Sequence, residues 1–147
     1  MKFSAVYVLP GPPGNVYAAL TDPAVLQRCI PGCESLESTG DNTFKATIVV
    51  GVAGLKGTYV GRAELRDLDP PHGFTLVVDG KARGPGIVRA TAGISLVPVD
   101  AGASVTCDAD VQVAGLLAAV GSRLIEAASR QQMDEFFRRL SSLVVGR

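Results

Sequence analysis

Of 147 residues only one is histidine and three are cysteine, and the charges balance at 14 basic against 14 acidic. The balance, with no long run of like charge, leaves no footprint for nucleic-acid binding. An odd cysteine count argues against a closed disulfide framework and for free thiols in a reducing compartment. A lone Cys-x3-Cys pair, Cys29 and Cys33, with a distant Cys107 and a distant His72, falls short of structural zinc spacing. His72 itself lies in DPPHG, between two strand-like stretches, where a solvated turn residue is expected; no local aspartate–serine pattern makes it part of a triad. No metal ligand or catalytic residue is therefore assigned. The glycines of GVAGLKGTYVG fit neither dinucleotide nor P-loop spacing, so no cofactor motif is present and no covalent cofactor is expected. The N-terminus, MKFSAVYVLPGPPG, lacks the apolar core of a signal peptide, and no apolar run approaches the roughly 20 residues of a spanning helix. The expected location is cytoplasmic.

What is present is alternation. Residues 2–9 place Phe3, Ala5, Tyr7 and Leu9 on one face and read as a strand. A short helix over 15–20 follows, then a second one, DPAVLQRCI, with Asp22 as cap and Pro31 as terminator. Period two then holds through strands near 34–39, 43–52, 55–68, 73–80, 86–97 and 103–113. From Leu116 onward the pattern is helical, with Leu117, Val120, Gly121, Leu124 and Ala128 sharing a face. No repeat, linker or second domain interrupts residues 1–147. The order predicts an α+β helix-grip domain: a curved antiparallel sheet of about seven strands wrapped on a long C-terminal helix, with two short helices after the first strand.

The sheet face is the informative surface. Gly57, Tyr59, Gly61, Ala63 and Leu65 share one parity, and Val88, Ala90, Ala92, Ile94 and Leu96 another. Ala46, Ile48, Val50, Leu76, Ala109 and Val111 extend this small apolar set, whereas Lys56, Arg62, Glu64, Arg66 and Arg89 hold the opposite parity. Small side chains on the sheet, facing a helix that offers Leu117, Gly121, Leu124 and Ala128, leave volume unfilled. Either the sheet curls tightly about glycine, or the gap is a pocket with an apolar lining.

In a meander alternate connections emerge at one end. GVAGL, KARGPG and VAGL share the end at which the 34–39 strand begins, and are rich in glycine; TGDNT, DPPHG and VDAG, at the other end, are mostly polar. The first end is the expected mouth, formed by Ile30, Pro31 and Gly32 with Val52, Leu55, Lys81 and Arg83. Within CIPGC, Pro31 and Gly32 suit the centre of a type II turn, so the two flanking sulfurs need no redox role.

This order of elements resembles the START-like superfamily (also termed SRPBCC, polyketide cyclase-like or Bet v 1-like). LTDPAVLQRCIPGCESLE, VGVAGLKGTYVGRAELRDLDPP and VAGLLAAVGSRLIEAASRQQMDEFF are similar to the CoxG family of carbon monoxide dehydrogenase subunits, over nearly the whole chain. The resemblance implies a ligand cavity, which favours the pocket reading, and a molybdenum hydroxylase such as carbon monoxide dehydrogenase as partner. It also implies a role at the inner membrane face; the sequence ends at Arg147 without the extended tail that some members carry, so transient peripheral contact is expected. The expected guest is a lipophilic molecule, a lipid or a prenylated quinone that accepts electrons, and the expected role is accessory rather than enzymatic. A lipid-transfer module, a cyclase-type enzyme using Tyr59, and a ligand-free scaffold or maturation factor remain as alternatives.

Overall fold

The computed structural model describes residues 1–51, 56–82 and 86–145, the side chain of Val145 aside. The chain runs β1 (Lys2–Leu9), α1 (Pro13–Leu20), α2 (Pro23–Cys29), β2 (Cys33–Gly40), β3 (Thr43–Val50), β4 (Gly57–Asp69), β5 (Gly73–Ala82), β6 (Gly86–Val99), β7 (Gly102–Gly115) and α3 (Ser122–Val145). The strands form one antiparallel sheet in the order β1-β7-β6-β5-β4-β3-β2. The helix-grip expectation holds: a seven-stranded sheet, two short helices after the first strand, and a long C-terminal helix.

Local chemistry explains the short helices. Pro13 and Pro23 start them where a missing N–H costs nothing, and the Asp22 carboxylate accepts from the Ala24 N–H at 3.0 Å. Ile30 adopts extended backbone before Pro31 and ends α2. The Cys33 N–H then donates to the Ile30 carbonyl at 3.2 Å, with Gly32 at φ +75°, which is the type II turn anticipated for CIPGC.

The helical expectation from Leu116 needs correction. Leu116–Val120 form a 3₁₀ turn, Gly121 takes φ +97°, and α3 starts only at Ser122. A left-handed residue breaks the phase of an α-helix, so the face counted from Leu117 does not continue into α3. Ile125, Ala128, Phe137, Leu140 and Val144 are the buried residues of α3, while Leu124 is 45% exposed.

Candidate functional site: the concave face of the sheet

The strand registers align inward residues into rows across the sheet. One row runs Leu65–Leu76–Ala92–Ala109–Phe3; the next runs Phe44–Ala63–Val78–Ala90–Val111. Beyond them lie Leu36–Ala46–Gly61–Gly80–Val88–Val113 and then Cys33–Ile48–Tyr59–Ala82–Gly86–Gly115. The last row joins the ends of β3, β5 and β7 and the starts of β2, β4 and β6, so the anticipated mouth connections do share one end of the sheet.

Burial divides this face. At the end away from the mouth, Phe44, Leu65, Phe74, Ile94, Leu96 and Val105 pack with Val16, Tyr17, Leu20 and Val25 of α1 and α2 and with Phe137, Leu140 and Val144 of α3. A second cluster gathers Phe3, Val111 and Ile125 under the first turns of α3. Tyr7 stacks on Phe137 with centroids 4.1 Å apart and donates its hydroxyl to Asp134 at 2.6 Å; Arg130 lies over the Phe3 ring. These contacts seat α3 over the β1–β7 side. Ala46, Ile48, Tyr59, Ala63 and Val78, on the β3–β5 side, are only partly buried and belong to neither cluster.

The glycines locate the unfilled space. A Cβ at Gly86 would meet the Leu117 side chain at 2.9 Å, and one at Gly61 would meet the Asp79 carbonyl at 2.3 Å. Both positions are therefore occupied by the protein, and Gly61 serves the close approach of β4 to β5. A Cβ at Gly80 would meet nothing within 4 Å.

The residues anticipated as lining thus separate into three groups. Ala46, Ile48, Tyr59, Gly61, Ala63, Leu76, Val88, Ala90 and Ala109 are partly buried on the concave face. Val50, Ala92, Ile94, Val111 and Ala128 are buried core residues. Leu124 and Gly121 are exposed, the helix beginning only after Gly121, and the Leu117 side chain lies where a Cβ at Gly86 would stand. Phe74, Val78 and Ala82 complete the inward rows, and the parity of Leu76 on its own strand already points to them.

At the mouth, Ile30 and Pro31 are half-buried, and Gly32 and Lys81 are exposed. Val52, Leu55 and Arg83 lie outside the described residues. Leu116, at 69% exposure, and Ile87, at 41%, are large apolar residues near this end that the sequence reading did not single out.

The chemistry on offer is mild. All three cysteines are free, and burial raises each thiol pKa, Cys107 to about 11. Burial likewise raises Tyr59 and keeps its phenol neutral. Among the described residues no group of three His, Cys, Asp or Glu side chains is placed to hold a metal ion. His72 is exposed and faces Asp69 at 3.5 Å. No helix of the described residues is long and apolar enough to cross a membrane.

Comparison with known proteins agrees with this geometry. A family model for the CoxG subunit of carbon monoxide dehydrogenase matches residues 9–145. A conserved protein from Geobacillus kaustophilus superposes with TM-score 0.94 at 31% identity, covering 99% of this chain and 96% of that one. Ara h 8.0201 superposes with TM-score 0.75 at 16% identity, covering 100% and 99%. TTHA0849 from Thermus thermophilus gives 0.72 at 16%, covering 99% and 98%. The last two speak to the fold alone. No curated protein matches the chain.

Proposed function

Since the chain belongs to the CoxG family of carbon monoxide dehydrogenase subunits, we propose that it is a non-enzymatic accessory protein that shelters one lipophilic molecule on the concave face of its sheet. The observation that carries this reading is the partly buried apolar surface of β3–β5 outside both packed clusters, with open space at Gly80. A surface of this kind favours an apolar guest, because removing it from water is worth about 25 cal/mol per Å². A prenylated quinone is the guest that suits a dehydrogenase partner: it would carry electrons away while the enzyme stays out of the bilayer. The neutral phenol of Tyr59 suits orienting a quinone carbonyl better than acid–base chemistry.

Exposed Leu116 beside the mouth, with Lys56 and Lys81 nearby, suits brief contact with an anionic bilayer, where each cation contributes about 1 kcal/mol. The test is transfer of a short-chain prenylated quinone to the protein from anionic vesicles and from detergent micelles. Leu116→Asp with Lys56→Glu should slow uptake from vesicles and leave uptake from micelles unchanged. Absence of uptake from both sources by the parent protein would reject the ligand reading; equal slowing from both would reject the membrane contact alone.

A further inference from the structure

The convex face of the sheet shares only Lys81 with the ligand reading, and among its scattered acids it gathers a cluster of cations. Lys45, Arg62, Asp79 and Arg89 are consecutive partners across β3, β4, β5 and β6, and Val60, Lys81 and Ile87 form the adjoining row. Between the rows lies a groove of about 310 Å³, lined by these seven residues and by the backbone at Gly61 and Gly80. Only one carboxylate, Asp79, enters the groove, and it pairs with Arg89 at 3.2 Å. No ion pair among the described residues engages Lys45, Arg62 or Lys81. Four cations therefore wall a furrow whose floor is partly apolar, through Val60 and Ile87.

We infer that this groove is a docking site for an extended acidic segment of a partner protein. Strands lie about 4.8 Å apart, so the row from Lys45 to Arg89 spans about 14 Å. An extended peptide with carboxylates at alternate positions presents one about every 6.6 Å, so two or three of them match the row. The exposed, flexible cations do not enclose a small anion: Arg89 is 73% exposed. A bilayer laid on this face would press Glu37, Glu64, Asp108 and Asp110 against its headgroups, since all four share the convex parity. In a second copy three of these four acids are already engaged: Asp108 accepts from the Ser4 hydroxyl, Asp110 faces the N-terminal ammonium at 3.5 Å and Glu64 pairs with Arg66 at 3.0 Å. The groove is on the opposite face from the concave lining, so this inference stands whether or not a lipophile is bound.

The experiment is titration of the full chain with a fluorescent peptide of alternating glutamate and serine, against glutamine–serine and lysine–serine controls, while amide shifts are followed by NMR. The glutamate peptide alone should bind, with shifts centred on β3–β6. Lys45→Glu with Arg62→Glu should weaken binding by about tenfold or more, and Arg62→Lys should retain most of it. Lys45→Gln with Arg62→Gln repeats the test should charge reversal disturb folding. Unchanged binding in the substituted proteins, or shifts mapping elsewhere, overturns the inference. So does either alternative occupant: anionic vesicles whose binding needs Lys45 and Arg62 while the peptide does not bind, or salt-sensitive self-association that these substitutions abolish.

Discussion

Gly32 shows how one residue ties the mouth to the sheet. Its carbonyl accepts from the Val49 N–H at 2.9 Å, and a Cβ there would stand 1.8 Å from the Val49 carbonyl oxygen. Gly32→Ala combines this collision with a left-handed φ, a conformation that costs a non-glycine residue about 1–3 kcal/mol. Urea unfolding should register a loss of at least that size. Gly93→Ala, where an added Cβ meets nothing within 4 Å, should change stability by less than about 0.5 kcal/mol. Equal effects would mean that the turn is not docked on β3. The turn type was legible from Pro31 and Gly32; the docking was not, because it depends on how closely β3 approaches.

The thiols carry a pH dependence of definite sign. Burial lifts Cys107 from its ordinary 9.0 to about 11, so the unfolded chain loses this proton first. Its contribution to stability is complete below pH 9 and is lost as pH rises through about 11. Denaturant midpoints should therefore fall over that interval, and Cys107→Ala should flatten part of the slope. An identical slope in the variant would show that the thiol is not desolvated.

At the scale of elements, α3 tests where sequence patterning stops being sufficient. The six strands after Gly32 follow alternation closely, because each side chain's face is set by its own backbone. A helical face depends on where counting begins, and Gly121 resets it. Leu124 and Ile125 are neighbours with opposite fates, at 45% and 1% exposure. Ile125→Ala should cost about 2–5 kcal/mol and Leu124→Ala less than about 0.5 kcal/mol. The reverse order in thermal unfolding would restore the phase counted from Leu117. The α3 contacts that involve charge were likewise hidden from the sequence. Tyr7 with Asp134, and Arg130 with Phe3, join residues more than a hundred positions apart.

For the whole molecule, the apolar surface of a small domain is split between structure and site. The end beneath α1, α2 and the last turns of α3 is packed, while Ala46, Ile48, Tyr59, Ala63 and Val78, nearer the mouth on β3–β5, belong to neither cluster. Parity alone distinguished inside from outside but could not make this second division, since Ala92 and Ala46 have the same pattern and differ only in what covers them. On the proposed function, the open apolar surface at Gly80 is where the guest sits. Gly80→Leu projects a side chain into that space without a clash at its Cβ, whereas Gly61→Leu would strike the Asp79 backbone and report on folding instead. The deciding measurement is native mass spectrometry of the parent and Gly80→Leu proteins incubated with a short-chain prenylated quinone. The account predicts a one-to-one complex for the parent, released by organic extraction, and little or none for a folded Gly80→Leu. No complex with the parent protein, or the same complex with both, would contradict it.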